Sequence, residues 1–136
     1  MMLRYISLIP LFWFSPLLAA PDSILSERCL ATFEFIKTQD LDLFIAEMPF
    51  TPSKTEKARS AKVLQRAHQK WFVKEKINNI EVGEISYQQP STAKQEKYGA
   101  LNQARVKLTV VGENYNSRVS CNFIQTKDGW FLSSLP

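Results

Sequence analysis

Metal-ligating residues are scarce in this chain of 136 residues. It contains two cysteines and one histidine, whereas a structural zinc site needs about four such ligands. The sequence also has no G-x-G-x-x-G run, no Walker A motif and no EF-hand loop. We therefore expect no metal and no cofactor.

Long hydrophobic runs are equally rare, and the one that is present lies at the start. Arg4 precedes an apolar stretch over residues 6–18 that ends in two alanines, a pattern typical of a secretory signal peptide. The stretch is shorter than the ~20 residues that a membrane-spanning helix needs, although a retained membrane anchor is the alternative. We predict that residues 1–20 form a signal peptide and that 21–136 form one domain without a transmembrane segment. The predicted location is periplasmic or secreted.

The two cysteines, Cys29 and Cys121, lie near opposite ends of the predicted domain. An even number of cysteines in an exported chain indicates a disulfide, because such compartments are oxidising. We predict a Cys29–Cys121 bridge that joins the start of the domain to its end. Two buried free thiols are the alternative.

The net charge of +4 is small, but the positive residues are concentrated in one segment. Over residues 53–74 the spacing predicts a helix whose outer face carries Arg59, Lys62, Arg66 and Lys70. Such a face could meet an acidic envelope protein or anionic lipid; an ordinary solvated helix face is the alternative. We expect no nucleic acid, because the chain is predicted to be exported and the face lacks aromatic residues that stack bases.

The hydrophobic pattern changes from helical to strand-like along the chain. It predicts three helices followed by four strands, with a polar loop between the first two strands. The predicted helices cover 23–37, 41–48 and 53–74, the strands 77–87, 104–110, 115–126 and 130–135, and the loop 88–99. The fold class is therefore α+β, with N-terminal helices packed on the concave face of a curved four-stranded antiparallel sheet.

The first strand changes phase part-way along its length. Ile80 and Val82 share one face, while Ile85 and Tyr87 fall on the other if the alternation is strict. Gly83 lies between the two pairs and predicts a β-bulge.

The chain ends in a hairpin signal, Thr-Lys-Asp-Gly-Trp-Phe-Leu over residues 126–132. Helices leading into an antiparallel sheet that closes on such a hairpin resemble the small secreted branch of the NTF2-like (cystatin-like cone) superfamily. This resemblance implies a cone-shaped sheet around a helix, with a pocket between them. It implies no single activity, because the fold hosts isomerases, dehydratases, transport adaptors and binding modules. None of the enzymes' motifs matches residue by residue.

A cone pocket would need an apolar wall, and the aromatic and strand residues supply candidates. We predict that a small apolar molecule would contact Trp71, Tyr87, Val106, Leu108 and Phe123. Ordinary core packing of the same side chains is the alternative.

Two weak catalytic signals remain. His68 is the sole histidine. It could act as a general acid or base if its side chain pointed into a pocket together with Tyr87 or Glu84. A histidine packed against the helix is the alternative. The run Ser91 to Lys94 fits the S-x-x-K pattern of penicillin-recognising enzymes, but the partner motif K-T-G is absent and the run is predicted to lie in a polar loop.

These observations favour an exported, non-catalytic NTF2-like binding protein whose ligand is a small apolar molecule or an envelope protein. One alternative is an isomerase- or dehydratase-type enzyme that uses His68. Another is an envelope assembly subunit that docks through the basic helix at 53–74. A homodimer is compatible with all three.

Overall fold

A computed structural model describes residues 21–136, so the predicted signal peptide lies outside the described residues. Within that range the elements follow one another as helices first and strands second, with one further helix between the first two strands. The helices are α1 (Pro21–Thr38), α2 (Leu41–Ala46), α3 (Lys54–His68) and α4 (Thr92–Tyr98), and the strands are β1 (Ile77–Gln88), β2 (Asn102–Gly112), β3 (Asn116–Thr126) and β4 (Gly129–Ser134). A π-helical turn, Gln69–Val73, continues α3.

Side-chain caps fix the starts of α2 and α3. Asp40 accepts from the N–H of Leu43 at the start of α2, and Ser53 accepts from the N–H of Glu56 at the start of α3. Each cap satisfies a backbone donor that has no partner within the helix. Helix α2 ends at Ala46, ahead of two prolines that could not continue it.

The four strands form one antiparallel sheet in the order β1-β2-β3-β4. Its inner face carries the buried alternate residues of β2, and these pair with Cys121 and Phe123 of β3. The edge strands meet through their side chains, since Tyr87 of β1 and Trp130 of β4 lie edge to face with ring centroids 6.1 Å apart. Three strand spacings in a flat sheet would separate these strands by about 14 Å. The contact therefore indicates that the sheet curls toward its inner face.

The predicted bulge in β1 is present, but its effect on the strand differs from the prediction. Val82 pairs with Leu108 and Ile85 pairs with Val106, so β1 has one residue more than β2 in this interval. The extra residue shifts the side-chain alternation of β1 by one position. The four residues on either side of the bulge therefore all lie on the inner face of the sheet, and not on two faces: Ile80, Val82, Ile85 and Tyr87.

Helices α1, α2 and α3 pack on the inner face and form one apolar core with it. Leu25, Cys29, Phe33 and Ile36 share the buried side of α1, and each is at most 3% exposed. Cys29 and Cys121 form the predicted disulfide, with Cα atoms 5.7 Å apart. The bridge ties α1 to β3 at the centre of the core.

Segment 88–99 was predicted as a polar loop, and the structure corrects this. Ser91 caps the seven-residue helix α4, and Gly99 ends it in the left-handed conformation, with φ of 65°. Helix α4 contains no buried residue, so it has no apolar stripe from which hydrophobic spacing could predict it.

Glu75 holds the turn between β2 and β3. Its buried carboxylate accepts from the N–H of Lys76 and from both the backbone and the side-chain N–H of Asn114, at 3.0–3.3 Å. Gly112 lies directly beside it, and a Cβ at this position would come 2.7 Å from the carbonyl oxygen of Tyr115. This close approach requires glycine.

Candidate functional site

The five side chains predicted to line a cone pocket do not line a cavity together. Trp71, Val106, Leu108 and Phe123 are at most 2% exposed and belong to the core, whereas Tyr87 is 43% exposed on the edge strand. Trp71 fills the hollow of the sheet, where its ring meets that of Phe33 edge to face at 5.8 Å. None of the five residues lines either of the two cavities described below.

A cavity of about 590 Å³ lies instead beside the edge strand β4. Its walls come from the end of α2 and the residues after it, from α3, from α4, and from the last residues of the chain. The lining residues are Phe44, Met48, Pro49, Phe50, Val63, Arg66, Ala67, Lys70, Lys94, Tyr98, Leu132, Ser133, Ser134, Leu135 and Pro136. Most of them are apolar, which is typical of small-molecule sites.

Three local features place this cavity. The N–H of Leu132 in β4 donates to the carbonyl oxygen of Glu47 at 2.7 Å, which fixes the end of α2 against the edge strand. Phe50, beyond α2, stacks on Tyr98 of α4 with ring centroids 5.8 Å apart. The indole N–H of Trp71 donates to the carbonyl oxygen of Pro136 at 3.3 Å and holds the end of the chain at the cavity.

The basic face predicted on the third helix is divided by this cavity. Arg59, Lys62, Arg66 and Lys70 are all exposed, and they form no ion pair with any other residue between 21 and 136. Arg66 and Lys70 line the cavity, whereas Arg59 and Lys62 do not. Lys70 is also held at the edge of the core, because its Nζ lies 4.3 Å from the centroid of the Trp71 ring.

His68 is half-buried and lines neither this cavity nor the second one described below. Its Nδ1 lies 3.0 Å from the carbonyl oxygen of Ile36, and its ring stacks on Phe72. The hydroxyl of Tyr87 donates to Asp22 instead of facing His68. Glu84, the other predicted partner, is exposed on β1, and no hydrogen bond within residues 21–136 joins His68 to Tyr87 or Glu84.

Ser91 stands at a helix start, contrary to the loop prediction, but its hydroxyl acts as a cap. The oxygen accepts from the backbone N–H of Lys94 at 3.3 Å. Both cysteines are joined in the disulfide. The two cysteines are therefore not free thiols, and Ser91 serves as a helix cap.

A second cavity of about 460 Å³ lies between α1 and α2. The ion pair of Arg28 and Glu47, at 2.7 Å, forms part of its wall, and Glu34 and Asp40 also line it. Its polar groups are thus largely paired or acidic, unlike those of the cavity beside β4.

The described part of the chain has neither a clustered metal site nor a membrane-spanning helix. Residues 21–136 contain no cluster of three His, Cys, Asp or Glu side chains that could hold a metal ion. No helix in the same range is long and apolar enough to cross a membrane.

Comparison with known proteins gives one informative match. No family model matches the sequence, and no curated protein matches it. A crystal structure of a "Putative NTF2-like transpeptidase" from Campylobacter jejuni is similar over 84% of this chain and 97% of that chain, with a TM-score of 0.55 and 11% sequence identity. This chain has an NTF2-like fold. At that identity the likeness extends to the fold alone, and the NTF2-like resemblance predicted from the sequence is confirmed.

Within this NTF2-like fold, the contact between Tyr87 and Asp22 joins β1 to the start of α1. Desolvation by burial, followed by the hydrogen bond to Asp22 and its negative charge, raises the pKa of Tyr87 to about 12. The protonated phenol is thus favoured in the folded state. Its contribution to stability is present below the unfolded pKa of about 10 and is lost as the pH rises through about 12.

Tyrosine absorbance during an alkaline titration should show this effect. We expect the latest ionisation step near pH 12 to be missing in Tyr87→Phe and to move toward pH 10 in Asp22→Asn, because the neighbouring carboxylate charge is then removed. An unchanged step in Asp22→Asn would contradict the assignment.

Proposed function

We propose that this protein is an exported, non-catalytic binding protein that holds a small apolar molecule in the cavity beside β4. The observation that carries the proposal is the cavity itself, whose volume of about 590 Å³ lies within the ~300–1,000 Å³ usual for small-molecule sites. The apolar side chains of its wall come from segments that the sequence separates widely. The disulfide and the signal-peptide pattern of residues 1–20 support export.

The alternatives have less support. The relative from Campylobacter jejuni is named a transpeptidase, but the hydroxyl of Ser91 is occupied as a helix cap and both cysteines are bridged. The isomerase or dehydratase hypothesis lacks a partner for His68. The envelope-assembly hypothesis relies on the basic face of α3. Only Arg59 and Lys62 of that face lie outside the cavity.

Binding of the neutral fluorescent probe N-phenyl-1-naphthylamine tests the proposal. We expect saturable binding of one probe per protein. Val63→Trp should weaken it by about tenfold or more, because Val63 lines the cavity and an indole there would take up space that the probe needs.

Ala61→Trp is the matched control. Ala61 lies on the same helix and is exposed, but it does not line the cavity. Its substitution should leave probe affinity unchanged. Absence of saturable binding, or equal losses in the two variants, would overturn the proposal.

A further inference from the structure

We infer that the cavity beside β4 binds a free, single-chain anionic amphiphile, whose apolar chain enters the cavity while its anionic head meets Arg66, Lys70 and Lys94. This inference rests on the proposed function and adds the chemical class of the ligand.

The charged side chains that line the cavity have one sign. Arg66 and Lys70, four positions apart, line it from α3 and its π-helical continuation, and Lys94 lines it from α4. No lining side chain is acidic, and none of the three cations forms an ion pair with another residue in 21–136. Such an uncompensated cluster beside apolar walls favours an anion over a neutral or cationic head.

Two neutral polar side chains of the wall already form hydrogen bonds within the protein. The hydroxyl of Ser133 donates to the carbonyl oxygen of Asn122 at 3.1 Å, and the hydroxyl of Ser134 accepts from the side-chain amide of Asn122 at 2.7 Å. The three cations, together with the Tyr98 hydroxyl, are the main polar groups of the wall that can meet a ligand head. An anionic head would form charge-assisted hydrogen bonds with the cations, and these are about twice as strong as neutral ones.

The aromatic part of the wall suits an alkyl chain. Phe50 and Tyr98 stack nearly parallel, with an interplanar angle of 10°, and Phe44 and Leu132 behind them belong to the core. Lys97 adds a further positive charge next to this pair, with its Nζ 5.1 Å from the Tyr98 ring centroid. Apolar surface thus lies directly beside positive charge.

A peptide strand is a less suitable occupant. Strand addition needs free backbone groups along the sheet edge. The N–H of Leu132, which lies in the cavity wall, is already bonded to the carbonyl oxygen of Glu47, so the edge is closed at this point.

Isothermal titration with three probes of equal chain length tests the inference: decanoate, decanol and decyltrimethylammonium, at low ionic strength. We expect decanoate to bind most tightly and decyltrimethylammonium most weakly. Replacing Arg66, Lys70 or Lys94 singly by glutamine should weaken decanoate binding by about two- to fivefold, as for exposed ion pairs. The triple variant should lose about tenfold or more while keeping its affinity for decanol.

The double variant Arg59→Gln/Lys62→Gln is the control, because it removes charge from the same helix outside the cavity. It should leave decanoate affinity unchanged. If decanoate and decanol bind equally and the triple variant has no effect, the anionic class is wrong while the cavity proposal stands. If no probe binds, including N-phenyl-1-naphthylamine, the proposed binding function and the anionic ligand class are both wrong. If anionic phospholipid vesicles bind the protein and decanoate does not, a membrane surface replaces the free ligand and the inference is overturned.

Discussion

Removing the disulfide should lower the free energy of unfolding by about 4–5 kcal/mol. Cys29 and Cys121 are 92 positions apart, so the bridge closes most of the described chain into one loop. In the unfolded state that closure removes conformational entropy, and the benefit grows with the logarithm of loop length. Since domains of this size are usually stable by about 5–15 kcal/mol, the variant Cys29→Ala/Cys121→Ala should be close to its unfolding midpoint under mild denaturant.

Urea unfolding of the double variant and of the wild type, with and without reductant, measures this effect. The wild type in reductant should behave like the variant, whereas the variant should not respond to reductant. A loss below about 1 kcal/mol would show that the loop-closure account does not apply here. Because Cys29 and Cys121 are fully buried, the alanines also leave small cavities. Any remaining difference between the variant and the reduced wild type measures that packing loss.

The disulfide was predictable because it follows from composition and compartment. The helix starts were predictable for a similarly local reason, since Asp40 and Ser53 each carry a side-chain oxygen at the residue before an apolar periodic segment. The sheet followed from period-two alternation and from the Asp-Gly turn before β4. The helix starts and the strands each depend on residues that lie close together in the sequence. The disulfide depends on cysteine, the only residue type that can form one.

The cavity was not predictable in this way. Its wall joins residues from α2, α3, α4 and the end of the chain, and no local pattern brings these four segments together. Helix α4, which contributes Lys94 and Tyr98, is polar and exposed. The signal that could have revealed it is the cap pair, serine at position 91 and glycine at position 99.

Aromatic content likewise does not distinguish a core from a binding site. Trp71 and Phe50 are both large aromatic residues near helix ends, yet Trp71 is 2% exposed in the core and Phe50 lines the cavity. The difference depends on the bend after α2, where Pro49 and Pro52 carry the chain away from the helix. That path is a tertiary property, because the segment is held by the contacts of Glu47 and Phe50 with β4 and α4.

Trp71→Ala should therefore act on stability and not primarily on a ligand. Trp71 is the largest fully buried side chain of the described residues, and truncating a buried aromatic residue to alanine costs about 3–5 kcal/mol. The substitution also removes the hydrogen bond to Pro136 and the edge-to-face contact with Phe33. Trp71→Phe keeps much of the packing and loses the hydrogen bond, so its cost should be smaller, about 1–2 kcal/mol.

Tyr115→Ala is the matched control, because this aromatic side chain is 61% exposed and its truncation should change stability by at most about 0.5 kcal/mol. Chemical denaturation measures the free energy of unfolding of all three variants. Probe binding tests the alternative, that Trp71 lines a ligand pocket. If Trp71 were a pocket wall, as the sequence pattern predicted, Trp71→Ala would keep its stability and lose ligand affinity. Unchanged stability is the decisive outcome, because it would mean that the hollow of the curled sheet is open. A loss of affinity alone does not decide between the two sites, because Trp71 also holds Pro136 at the cavity beside β4.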